Sequence, residues 1–130
     1  MLHPNQFQVN EAWIAFWLND EPIHTAQDGS FNCLCLMDAA SCYILGNAMT
    51  HMGEAEPSQL EAKHLLKAGW QHKKQMPRTL FVPKGQFEDK LTAAAQNEKI
   101  DVVPVEENEL LVFIGDARKG FKEHTQAGNS

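Results

Sequence analysis

Thr79-Leu80-Phe81-Val82-Pro83-Lys84-Gly85-Gln86-Phe87 decides how the rest of this chain is read. Thr79 to Val82 has the composition of a short strand buried on both faces, and Pro-Lys-Gly then turns the chain toward a helix. In open α/β sheets the crevice beyond the carboxyl ends of parallel strands is the usual place for chemistry, and Val82 to Gly85 is expected on that rim.

On the carboxyl side, Phe87, Leu91, Ala94 and Ala95 recur at i, i+4, i+7 and i+8, which predicts a helix. Ile100 to Val105 follows as a strand, and Pro104 puts it at a sheet edge. Leu110, Phe113, Ile114, Ala117 and Phe121 suggest a final helix, although Leu110 to Ile114 would serve equally as a strand.

On the amino side, Ser58-Gln59-Leu60-Glu61 is a capping box, with Ala62, Leu65, Leu66, Gly69 and Trp70 at helical spacing and Met76-Pro77 as the stop. Before it, Ile23 to Ala26, Phe31 to Met37 and Cys42 to Thr50 read as an antiparallel meander. Its turns fall at Asp28-Gly29-Ser30 and at Asp38 to Ser41. Asn10 is placed to cap a helix over Glu11 to Leu18, with Trp13, Phe16 and Trp17 on one face. Those tryptophans are covered either by the domain's own sheet or by a partner.

The 130 residues form one domain, 1–130, with a poorly ordered arm at 1–9 and tail at 125–130. The expected fold class is α/β. It is a mixed five-stranded sheet, an antiparallel meander followed by parallel βαβ units, flanked by helices in the ribonuclease-H-like manner.

Net charge is −6, unevenly spread. Residues 1–62 carry eight acids and no Lys or Arg (−8), whereas residues 63–130 carry eleven bases against nine acids (+2). Lys63, Lys67, Lys73, Lys74 and Arg78 gather before the opening stretch, as either a solvated helix face or a site for an anionic partner. Cys33, Cys35 and Cys42 are an odd number without an export signal, so reduced thiols in a cytoplasmic protein are expected. On a strand, Cys33 and Cys35 share one face with Phe31 and Met37. The longest apolar run, Phe31 to Met37, falls far below the roughly 18 residues of a membrane span. His51, His64, His72 and His124 lack ligand spacing, Ser41 and Ser58 lack a nucleophile-elbow context, and neither a Walker loop nor a dinucleotide fingerprint is present.

Leu36-Met37-Asp38-Ala39-Ala40-Ser41-Cys42-Tyr43-Ile44-Leu45-Gly46 resembles the segment joining the second and third strands in the catalytic cores of retroviral-type integrases and DDE transposases. Thr79 to Phe87 resembles that family's strand ending in Asp-Asn-Gly-x-x-Phe, with Gly85 at the glycine and Phe87 one residue early. The similarity covers roughly residues 20–125 and implies the ribonuclease-H-like fold.

It also implies a requirement for three carboxylates, on the first strand, at the end of the fourth and on the C-terminal helix. They would hold two divalent ions for in-line phosphoryl transfer. Aligned to this chain, the first falls near His24, with Glu21 and Asp28 the nearest acids; the second falls on Pro83; the third has Asp116 or Glu123. Asp38 matches the turn after the second strand instead.

The expected function is a non-catalytic integrase-core-like domain acting through binding or self-association, as a homodimer, without metal or cofactor. Trp13, Trp17 and Trp70 are its candidate interface residues. One alternative is a nuclease or transposase remnant using Mg²⁺ or Mn²⁺ on a displaced set around His24, Lys84, Asp116 and Glu123. Another is nucleic-acid binding without cleavage through Lys63, Lys67, Lys73, Lys74 and Arg78.

Overall fold

A computed structural model describes residues 1–27 and 29–128, with side chains described through Glu123. Its sheet is built on β1, Ala12–Trp17, and this strand replaces the helix expected over Glu11 to Leu18. The spacing of Trp13, Phe16 and Trp17 fits a helix, but the same residues also alternate as a strand. Trp13 and Ala15 enter one core, while Ala12, Ile14 and Phe16 enter the other. With both faces covered, the apolar run is unbroken and its period is ambiguous.

Five further strands follow: β2 (Ile23–Thr25), β3 (Gly29–Asp38), β4 (Ile44–His51), β5 (Thr79–Pro83) and β6 (Asp101–Val105). The sheet therefore has six strands where five were expected. The expected meander is present, since β3 runs antiparallel to β2 and β4, and β3 is also antiparallel to β1. Phe31 pairs with Ile23 on one side and His51 on the other, so β1 and β2 lie end to end along one edge of β3. The second half is parallel, β1 to β5 to β6. Asp28, placed at the first turn, lies outside the described residues.

Three helices cover the sheet: α1 (Gln59–Lys73), α2 (Lys90–Asn97) and α3 (Leu111–Gly128). As the capping box predicts, the Ser58 hydroxyl accepts the Glu61 N–H at 3.2 Å. Helices α1 and α2 pack on Trp13, Ala15, Leu34, Leu36 and Leu80. Gly69 lets α1 approach, because a Cβ there would stand 2.7 Å from the Trp13 ring. The opposite face, Ile14, Phe16, Cys33, Cys35 and Met37, is covered by Leu110, Phe113 and Ile114.

Helix α2 begins at Lys90, later than the expected start at Phe87, because Phe87 takes φ 56° and is buried against the sheet. The stretch left open between strand and helix is helical: a 3-10 turn over Glu107–Leu110 leads into α3.

Residues 1–9, expected as a loose arm, lie against the α3 side. The Leu2 N–H donates to the Glu109 carbonyl at 3.0 Å, and the Phe7 ring meets Phe81 edge-on at 5.7 Å. The tail at 125–130 lies outside the residues whose side chains are described. Among the described residues no helix is long and apolar enough to cross a membrane.

Candidate functional site at the carboxyl ends of the parallel strands

Strands β1 and β5 pair in parallel with Ile14 beside Phe81. Neither β1, Ala12–Trp17, nor β5, Thr79–Pro83, contains an ionisable side chain, so the two strands present none to the crevice. Trp17 closes the rim from one side, its ring 5.0 Å from that of Phe87. The first-strand position placed near His24 is thereby corrected. The strand beside β5 is β1, which carries no acid, and His24 lies on β2, exposed, with Nδ1 2.6 Å from the Ser30 hydroxyl.

Arg118 brings a shielded positive charge to the rim. Its Nε donates to the Trp17 carbonyl at 3.0 Å, at the end of β1. Its two terminal nitrogens reach Asp20 at 3.3 Å and Glu107 at 3.2 Å. One guanidinium thus ties together the end of β1, the segment after β6 and α3. At 24% exposure its side chain is largely shielded from water, which strengthens these bonds over those of a free surface pair.

Sequence reading missed Arg118, yet a signal was there. Ile114, Arg118 and Phe121 fall at i, i+4 and i+7 on α3, so a base stands among the residues that face the sheet.

The other candidates do not converge. A cleft of about 410 Å³ brings His24 beside Arg118, with Leu18, Ile23 and Phe121, but Lys84, Asp116 and Glu123 do not line it. Lys84 pairs with Glu106 at 3.1 Å, both exposed. The start of α2 is capped by the Glu56 carboxylate, which accepts the Asp89 N–H at 3.2 Å and the Leu91 N–H at 2.8 Å. Asp116 is exposed on α3 near Cys42, whose thiol is raised above its ordinary value by burial first and then by the charges of Asp116 and Asp38. Glu123 is exposed. Among the described residues no group of three or more His, Cys, Asp or Glu is arranged to hold a metal ion.

The basic cluster divides. Lys63 and Lys67 line a groove of about 550 Å³ with Trp70, Met76 and Glu98, and the Lys74 ammonium lies 5.0 Å from the Trp70 ring centre. Lys73 lines a different cleft with Ser41, Tyr43 and His72, and Arg78 precedes β5. Of the candidate interface tryptophans, Trp13 is a core residue, fully enclosed between sheet and α1; Trp17 is half-buried and Trp70 exposed. Cys33 and Cys35 share the α3-side face as expected, and burial, with Cys33 adding, pushes Cys35 up to about 12, far from a reactive thiolate.

At the opposite end of the sheet the buried Asp38 organises the β3–β4 turn. Its carboxylate accepts the Asn10 N–H at 2.7 Å, the Ser41 N–H at 2.9 Å and the Ser41 hydroxyl at 2.7 Å. Asn10, at φ 66°, accepts the Trp13 indole N–H at 2.9 Å and donates to the Gln75 carbonyl at 2.9 Å.

No protein-family model matches the chain, and no curated protein matches it in sequence. Solved structures do match in fold. One is a chain of the simian T-cell lymphotropic virus intasome in complex with PP2A regulatory subunit B56 gamma (14% identity, TM-score 0.51), where the match covers 91% of this chain and 37% of that one. Another is the HTLV-2 integrase catalytic core domain in complex with magnesium, in a dimeric form (11% identity, TM-score 0.52), covering 90% of this chain and 85% of that one. This chain therefore has the ribonuclease-H-like fold of an integrase catalytic core.

Proposed function

We infer that this chain is a non-catalytic domain of integrase-core fold that works by binding or self-association, its metal crevice replaced by an internal cross-link. The observation that carries this reading is the position of Arg118. Two divalent ions need several carboxylates turned toward one point, with at most weak competition from fixed cations. Here the strands end in Trp17 and Pro83, and two acids beyond them, Asp20 and Glu107, already face one guanidinium. These residues do not fit a two-ion centre. The displaced set of the alternative, His24, Lys84, Asp116 and Glu123, does not share one cleft, since the cleft beside His24 is lined by none of the other three.

The likeness to the dimeric HTLV-2 integrase core supports a homodimer. A cytoplasmic setting is supported by three free cysteines.

Titration with Mg²⁺ or Mn²⁺, followed by thermal unfolding, tests the closed crevice. The melting temperature is expected to stay unchanged, because a ligand that binds the folded state must stabilise it. A saturable rise would overturn the reading.

A further inference from the structure

We propose that the groove between α1 and α2 is a nucleotide site, taking a nucleoside diphosphate whose base carries an exocyclic amino group. Its volume of about 550 Å³ lies within the usual span of small-molecule sites. Through β3 and β1, strand β4 runs parallel to β5, and β5 is parallel to β6, so α1 and α2 each cross between parallel strands and run in one direction. Their last turns, with Trp70 and Asn97, lie at one end of the groove, and Lys63 and Lys67 lie toward the other. The helical rise sets the two lysines about 6 Å apart along α1 and Lys63 about 10 Å from Trp70. The groove thus has a ring end and a cationic end.

Each wall selects one part of the ligand. Buried Leu66 and Ala94 and half-buried Met76 make an apolar floor, and Trp70 offers an exposed indole for stacking. The Lys74 ammonium, 5.0 Å from the centre of that ring, does not line the groove, so the indole surface that does line it is open. Lys63 and Lys67 are exposed and form no ion pair among the described residues, unlike Lys84 and Arg118. As ammonium point charges they suit phosphate, whereas a carboxylate is better met by the planar fork of an arginine. The side chains of Asn97 and Glu98 are exposed and make no hydrogen bond among the described residues. The Glu98 carboxylate is an acceptor only, and so favours a base edge with an amino group over one with carbonyls alone.

Charge limits the ligand to a single nucleotide. The bases that could track a strand are divided, with Lys73 lining a different cleft and Arg78 standing before β5. A strand laid along the groove would carry its phosphates past Glu98, on a chain of net charge −6. Lys63 and Lys67 instead match the two phosphates of one diphosphate. This names a ligand for the binding part of the function inferred above and uses no residue of the crevice.

Titration with ADP in metal-free buffer is expected to quench tryptophan fluorescence saturably, and Trp70→Leu should remove that response. AMP should bind more weakly than ADP, and adenosine more weakly still. UDP, whose base lacks an amino group, should bind about tenfold more weakly than ADP. Lys63→Gln and Lys67→Gln, both at exposed positions, should each weaken ADP about tenfold while leaving the melting temperature of the free protein unchanged. The proposal is overturned by the absence of a saturable response to ADP, by adenosine or UDP binding as tightly, or by unaltered affinity in both lysine variants. None of these results would touch the closed crevice, which the metal titration tests. An oligonucleotide that binds more tightly than ADP, with a salt dependence steeper than two lysines allow, would also overturn it, assigning the face to a strand.

Discussion

The two ends of the sheet answer a carboxylate in opposite ways. At the β3–β4 turn Asp38 is buried and receives neutral donors alone, two backbone N–H groups and one hydroxyl. At the carboxyl rim Asp20 and Glu107 are partly exposed and receive a cation from a distant helix. The first arrangement is a local device that fixes a turn and, through Asn10 and Trp13, the start of β1. The second is a long-range tie across three elements. Neither leaves a carboxylate free, but only the second sets a fixed positive charge at the carboxyl ends of the parallel strands.

The largest effect is expected at the buried end. Asp38→Ala removes three charge-assisted hydrogen bonds and leaves two backbone N–H groups without their acceptor, a loss of about 3 kcal/mol. Asp38→Asn should cost less, about 1 to 2 kcal/mol, because one of its oxygens becomes a donor that faces another donor. Denaturant unfolding reads both. If Asp38→Ala loses no more than Arg118→Met, the neutral-donor end is not the more strongly built one.

How far these two ends could be read from sequence follows from how local they are. Ser58, the Thr79–Val82 strand, the edge proline and the meander were legible, because each is set by neighbours within a few residues. β1 was misread, since a strand buried on both faces has no alternation to betray it and Trp13, Phe16 and Trp17 fit a helical face by coincidence. Pro83 could be recognised as the wrong residue for a metal ligand. What stands there instead could not, because Arg118 and Trp17 are 101 residues apart in sequence and meet only through the sheet. Glu56 at the start of α2 escaped for the same reason, being 35 residues from Leu91.

Arg118 gives the intermediate effect and the sharper test. Arg118→Met keeps most of the volume but leaves the Trp17 carbonyl without this donor, and is expected to cost about 1 to 2 kcal/mol. Most of that should persist in high salt, because the bond to the carbonyl matters more than the two partly exposed ion pairs. Arg118→Glu goes further, setting a third carboxylate against Asp20 and Glu107. Its stability should fall below that of the Met variant and recover in part with Mg²⁺ or Mn²⁺, a response absent from the wild type. A variant that ignores divalent ions would show that the rim lacks the geometry for metal even when its charge is reversed, and that the guanidinium is a structural tie rather than a stand-in for a cation.

The smallest effect should come from the other cation of the rim. Lys84 and Glu106 are 3.1 Å apart, but their side chains are 60% and 65% exposed. A double-mutant cycle of Lys84→Ala with Glu106→Ala is expected to find a coupling of no more than about 0.5 kcal/mol, the usual worth of a solvated pair. The β5–β6 join does not depend on it, because the Lys84 N–H still donates to the Val105 carbonyl at 2.8 Å. A coupling as large as the loss in Arg118→Met would mean that positive charge at the rim, wherever it sits, holds the strand ends together. The expected near-zero value instead assigns the closure to one shielded guanidinium bound to a strand-end carbonyl.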